Sequence, residues 1–171
     1  MSDRIGAVTM KGNPLTLTGN EVKVGQSAPE ATLVANDLSP VNLSSFKGKK
    51  TIVLAMPSLD TGVCDMETRK FNEEAVKLGP DVRILAVTMD LPFAQKRWCG
   101  AAGVKNVQTL SDYKEASFGS AFGVLIKELK LLARTIFVID SKGKVQYTQL
   151  VKEITSEPDY KAVLEAVKKA S

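Results

Sequence analysis

Two stretches of the chain are largely apolar, TIVLAM at 51–56 and RILAVTMD at 83–90. Short continuous runs of this kind belong to strands buried on both faces of a sheet. Between them lies DMETRKFNEEAVKLGP, in which Phe71, Ala75 and Leu78 fall at i, i+4 and i+7 and Gly79-Pro80 supplies a stop. That spacing predicts a helix over 65–78. After the second strand, Asp90 is placed to cap a helix with Pro92 in its first turn, running through FAQKRWCGAAG. Cys99 then falls within that helix or near its end.

VQTL and a short helical piece in YKEASFGSAFG follow. LLARTIFVID and KVQYTQLV flank the turn SKGK and read as an antiparallel hairpin. The closing segment EPDYKAVLEAVKKAS has Pro158 in its first turn and one apolar stripe of Tyr160, Val163, Leu164 and Val167. Near the start, GNPLTLTGNEV alternates between turn residues and predicts an N-terminal β-hairpin.

These elements together predict an α/β sandwich with a central mixed sheet flanked by helices. Its central strands are parallel and joined by a right-handed crossover, with an antiparallel edge pair. The order β-α-β followed by β-β-α is that of a thioredoxin-like sheet. Reactive groups in such sheets gather beyond the carboxyl ends of the parallel strands. Cys64, just ahead of the predicted helix, is placed there.

Composition narrows the chemistry. The 171 residues, 44% apolar and 25% charged, suit one domain spanning 1–171. The net charge of +4 is spread out with no basic block, so solvated lysines are expected and no nucleic-acid partner. No segment reaches the ~18 apolar residues that span a bilayer, and MSDRIGAVTMKGNPL has no apolar signal core. No membrane association and a cytoplasmic location are the expectation. The sequence has no histidine, which excludes Ser-His and Cys-His pairs and His-ligated zinc or haem. Its two cysteines cannot by themselves hold a structural zinc or an iron–sulfur cluster, so no metal or cofactor is expected. In a reducing compartment such a pair is no structural framework, and if it bonds it is catalytic or redox-sensing.

A free cysteine has a pKa of about 8.5, and only its thiolate is nucleophilic. The helix end favours an anion at Cys64, whereas Asp65 opposes it. A fixed cation is needed, and Arg134 is the candidate because it interrupts the apolar run LLA-R-TIFVID, where a charge requires a partner or a task. Its five donors suffice to hold a thiolate and an oxygen-bearing substrate together. Thr61, three residues before Cys64, is placed to donate to the sulfur or a bound oxygen, and Pro57 to stiffen and cover the loop. The plain alternatives are a buried cysteine acting as a small hydrophobe, an arginine paired with a carboxylate, and Pro and Thr as turn and cap residues. Each signal is weak alone, and it is their joint spacing that shifts the balance.

PSLDTGVC at 57–64 fits the P-x-x-x-T-x-x-C signature of peroxiredoxins. MPSLDTGVCDMETRKFNEEA closely resembles their thiol peroxidase branch, the bacterial atypical two-cysteine type. The resemblance continues through KGNPLTLTGNEVKVGQSAPE, MDLPFAQKRWCGAAGVKNVQTLSD, FGSAFGVLIKELKLLARTIFVID and SEPDYKAVLEAV, nearly the whole chain in one register. It implies that Cys64 is the peroxidatic cysteine, that Thr61 and Pro57 are its loop partners, and that Arg134 polarises the peroxide. It implies Cys99 as the resolving cysteine, closing an intramolecular disulfide with a Cys64 sulfenic acid. It further implies hydrogen peroxide and alkyl hydroperoxides as substrates, thioredoxin as reductant, and a homodimer. Two positions depart from the family pattern: Ala31 where an aromatic is frequent, and Trp98 where Phe or Tyr is common. Local unwinding at 60–68 and 93–103 is expected between reduced and oxidised states, since bridging needs Cα atoms within ~7 Å. Two other readings remain at this point, a peroxide-sensing regulatory thiol protein and a thioredoxin-type oxidoreductase. The latter lacks a C-x-x-C pair, its two cysteines lying 35 positions apart.

Overall fold

The chain opens with a hairpin of β1 (Asp3–Met10) and β2 (Asn13–Thr18) in the computed structural model, which describes residues 2–171. Its two-residue turn, Lys11-Gly12, has positive φ at both positions, 50° and 83°. This primed turn matches the twist of paired strands, and glycine adopts it without strain. The expected N-terminal hairpin is present, with its first strand upstream of GNPLTLTGNEV.

Two short strands, β3 (Thr32–Val34) and β4 (Pro40–Asn42), and a 3-10 turn at Leu43–Phe46 lead into β5 (Lys50–Ala55). Then come α1 (Gly62–Leu78), β6 (Val82–Thr88), α2 (Pro92–Ala102) and β7 (Gln108–Ser111). A short α3 (Ser117–Ala121), β8 (Leu125–Ile126), β9 (Thr135–Ile139), β10 (Val145–Leu150) and α4 (Tyr160–Lys169) complete the chain.

Seven strands form one sheet in the order β10-β9-β5-β6-β7-β3-β4, and β1, β2 and β8 form a smaller one. β5, β6 and β7 run parallel, while β9 lies antiparallel to β5 and β10 to β9. This is the expected mixed sheet with an antiparallel edge pair. The β3–β4 pair at the other edge was not singled out in the sequence.

Because side chains alternate along a strand, the central strands feed two cores. Ile52, Leu54, Ile84, Ala86, Ile136 and Val138 face the layer that contains Phe71 of α1, Trp98 of α2 and Val163 and Val167 of α4. Val53, Ala55, Leu85, Val87 and Phe137 face the opposite layer, where Phe118 and Phe122 stack with ring centres 4.3 Å apart. Runs with no polar residue to spare for solvent therefore belong in the middle of a sandwich.

Three boundaries differ from the sequence expectation. α1 begins at Gly62, so Cys64 sits inside its first turn and does not precede it. The cap position of α2 is Leu91, and Asp90 is used elsewhere. Pro158 lies ahead of α4, whose cap is Asp159, accepting from the Ala162 N–H at 3.0 Å. An aspartate cap satisfies a helix-end donor that a proline cannot serve. Among the described residues, no helix is long and apolar enough to cross a membrane.

Candidate active site

The loop from the end of β5 to the start of α1 carries Pro57 and Thr61, and the first turn of α1 carries Cys64, all beyond the carboxyl ends of the parallel strands. Pro57 and Leu59 are buried, which fixes the path of the loop against the core. Asp90, just past β6, anchors it. Its Oδ1 accepts from the Ser58 hydroxyl at 2.6 Å and its Oδ2 from the Leu59 N–H at 2.8 Å. Thr88 donates to the same Oδ2 at 2.8 Å, and the Gln95 amide of α2 donates to Thr88 at 3.0 Å. The expected helix cap is thus a loop anchor.

Thr61 occupies the N-cap position of α1 without capping it by its side chain. Its hydroxyl donates to the Ser58 carbonyl at 2.9 Å, and its N–H to the same oxygen at 3.1 Å. It does not bond the sulfur, contrary to one of the two roles expected for it. Cys64 lies in the turn where backbone N–H groups lack helical acceptors and attract negative charge.

The Cys64 side chain is completely buried and faces Arg134, which lies immediately before β9 and is itself 1% exposed. The guanidinium is held by three partners. One terminal nitrogen donates to Cys64 Sγ at 3.3 Å, the other to Glu67 Oε2 at 2.6 Å, and Nε donates to the Ile154 carbonyl at 3.0 Å. Seventy positions of chain are closed into one contact by the pairing of β5 with β9.

Glu67 went unnoticed in the sequence, although it is fully buried. The available signal was its spacing: three residues after Cys64 places both on one face of a helix. Its Oε1 has no partner, and burial pushes its carboxyl up to about 7 against the pull of the Arg134 charge. Burial pulls Arg134 down, but the charges of Cys64 and Glu67 outweigh it and leave it raised. The guanidinium is thus shared between the Cys64 sulfur and the Glu67 carboxyl, whose ionisation burial opposes. Thr68 completes the packing, donating to the Cys64 carbonyl at 2.8 Å beside Met56.

Cys99 sits in the last turns of α2, half-buried, with its sulfur 3.6 Å from the Thr109 hydroxyl on β7. Burial raises its thiol, with the Thr109 bond opposing. Both cysteines are free. The structure therefore brings Cys64 and Arg134 together and sets Cys99 against a different partner. An open groove of about 370 Å³ runs beside the loop, lined by Thr61, Gly62, Asp65, Arg69 and Trp98 among others. A more enclosed cavity, about 140 Å³, lies at the far end of the sheet near Phe46 and Ile139, where Glu30 and Asp140 already accept backbone N–H bonds.

The redoxin family model matches residues 23–164, which include Cys64, Cys99 and Arg134 and leave the N-terminal hairpin outside. Thiol peroxidases from Halalkalibacterium halodurans and Bacillus subtilis are 55% and 56% identical to this chain. The alignments cover 97% and 94% of it and 99% and 96% of those proteins. The chain belongs to the redoxin family, as one of its thiol peroxidases.

Among solved structures, a peroxiredoxin-like protein from Aquifex aeolicus is 44% identical with a TM-score of 0.89, covering 96% of this chain and 98% of that one. A thiol peroxidase from Chromobacterium violaceum, 19% identical with a TM-score of 0.84 and covering 95% of each chain, shares the fold. The thioredoxin-like sandwich expected from the order of elements is the fold of this redoxin.

Proposed function

We propose that this thiol peroxidase reduces hydrogen peroxide and alkyl hydroperoxides with Cys64 as its nucleophile, closes a Cys64–Cys99 disulfide, and is reopened by thioredoxin. The contact that carries the proposal is the Arg134 guanidinium 3.3 Å from the Cys64 sulfur, in a water-poor site at a helix end.

In the first step the Cys64 thiolate attacks one peroxide oxygen. An S–O bond forms, the O–O bond breaks, and the other oxygen takes a proton and leaves as water or alcohol. Negative charge moves from sulfur to the departing oxygen. Arg134 and the first-turn N–H groups of α1 stabilise that moving charge, while Thr61, whose hydroxyl donates to the Ser58 carbonyl, shapes the loop beside them. Pro57 keeps the loop stiff. Cys64 is left as a sulfenic acid.

Burial keeps Cys99 a thiol while it rests against Thr109; once exposed it gives up its proton and its thiolate attacks the sulfenic sulfur. An S–S bond forms and the sulfenic oxygen departs as water. Because each sulfur faces its own partner beforehand, the turns at 60–68 and 93–103 unwind for this step. Two thiols of thioredoxin reduce the disulfide through a mixed disulfide, returning both cysteines to thiols. The chain acts as one domain over 1–171, in the reducing cytoplasm. Homodimer formation is supported by Leu91 and Phe93, whose side chains stand exposed at the start of α2.

A coupled assay with thioredoxin, its reductase and either peroxide tests these roles. Cys64→Ser should lose all turnover, whereas Cys99→Ser should allow one fast oxidation and little thioredoxin-supported turnover. Turnover that survives in Cys64→Ser overturns the assignment.

A further inference from the structure

Of the three groups that hold Arg134, the Ile154 carbonyl lies outside the cysteine-bearing helix, in the segment that follows β10. That segment has no strand or helix of its own, so its backbone must be fixed by neighbours. β1 fixes it on one side: the Thr9 N–H donates to the Lys152 carbonyl at 2.6 Å and the Ile154 N–H to the Thr9 carbonyl at 2.9 Å. The Ile154 side chain packs among Val8, Leu17, Ile126 and Ala133 beneath the hairpin.

The Glu153 side chain supplies the rest. Its Oε1 accepts from the Gly12 N–H at 2.9 Å and the Thr9 hydroxyl at 3.1 Å. Its Oε2 accepts from the Thr155 hydroxyl at 2.6 Å and the Thr155 N–H at 3.1 Å. These donors, that hydroxyl foremost, hold its carboxyl down at about 2, so it is ionised wherever the protein works. Gly12 is the second residue of the hairpin turn. One carboxylate thus spans the hairpin tip and the segment whose carbonyl orients the arginine.

We infer that Glu153 is a positioning residue for peroxide reduction: by tying the hairpin turn to residues 152–155 it fixes the Ile154 carbonyl and so aims Arg134 at Cys64. The inference rests on the roles proposed above for Arg134 and Cys64. It gives the N-terminal hairpin, which lies outside the seven-stranded sheet, a part in the chemistry.

The test compares two rates at Cys64 in the full chain, oxidation by hydrogen peroxide and alkylation by iodoacetamide. Peroxide attack needs the guanidinium to follow charge onto the leaving oxygen, and iodide departure does not. Misaiming Arg134 therefore lowers the ratio of the two rates, whereas general loosening of the fold moves both together. Glu153→Ala should lower the ratio ~10-fold, inside the range that misplacing a catalytic group costs. Glu153→Gln, which still accepts from Gly12 and Thr9, should recover most of it. In an Arg134→Lys background, Glu153→Ala should change the ratio little further.

An unchanged ratio in Glu153→Ala, beside a lowered one in Arg134→Lys, overturns the inference and leaves the role of Arg134 standing. An unchanged ratio in Arg134→Lys overturns that role and the inference with it. Should Glu153→Ala fail to fold, Thr155→Ala removes one donor to the same carboxylate. A smaller drop in the ratio is expected there, and no drop counts against the inference.

Discussion

Asp65 and Trp98, the chain neighbours of the two cysteines, are hydrogen-bonded to each other: the indole N–H donates to Asp65 Oδ1 at 2.9 Å. The bond ties the first turn of α1 to the last turns of α2. Arg69 reinforces it, pairing with Asp65 at 2.9 Å, reaching the Ala102 carbonyl at 3.3 Å and lying 5.8 Å from the indole centre. Arg69 is half exposed, so its ion pair adds little, and the nearly buried indole bond is the stronger tie.

Trp98→Phe keeps an aromatic ring and removes the donor. Losing a bond to a charged acceptor costs the closed arrangement about 1–2 kcal/mol, which makes opening ~5- to ~30-fold easier. Disulfide closure after one equivalent of peroxide should be faster in the variant, read as the rate at which free thiols disappear. Closure that is unchanged or slower would mean that the tie does not restrain the helices.

Asp90→Ala removes the anchor of the loop that leads to Cys64. The Ser58 hydroxyl and the Leu59 N–H both lose their acceptor. Unfolding free energy should fall by about 2–3 kcal/mol, as expected for partly buried donors left unpaired, and peroxide reduction should slow at least ~10-fold. Chemical denaturation and steady-state kinetics check both. Full activity would show that the loop holds its shape without the carboxylate.

Glu67 makes stability depend on pH. In the fold its carboxyl keeps a proton up to about pH 7, whereas the unfolded chain releases it near 4.5. The folded state therefore binds more protons between those values. This contribution is fully present below pH 4.5 and is lost as pH rises through 7, by about 3 kcal/mol at most. Urea unfolding across that window should show wild-type stability falling relative to Glu67→Gln. Parallel pH profiles for the two proteins would contradict the assignment.

The sheet was legible in the sequence because β5, β6 and β9 are apolar through their middles, with polar residues only toward their ends, as central strands buried on both faces require. Cys64 and Arg134 were legible for a related reason: a lone charge in an apolar run and a cysteine at a strand–helix junction each call for a partner. The start of α1 was missed because Gly62 and Val63 are weak helix formers that the first turn tolerates. Glu67 and Asp90 were missed as site residues because a glutamate in a helix and an aspartate before one read as surface and cap. Only the packing of α1 against the start of β9, and of the 57–61 loop against the end of β6, turns them inward. Glu153 depends on a hairpin far from it in sequence, which no local pattern reveals.

The sulfur that takes the oxygen atom can be identified directly. Cys99→Ser protein, treated with one equivalent of hydrogen peroxide and trapped with a sulfenate reagent, is digested and weighed peptide by peptide. One labelled site at Cys64 is the expected result, formed much more slowly when Arg134 is replaced by lysine. Label on no peptide containing Cys64, or labelling at the same rate in the lysine variant, would contradict the role of the guanidinium–sulfur pair.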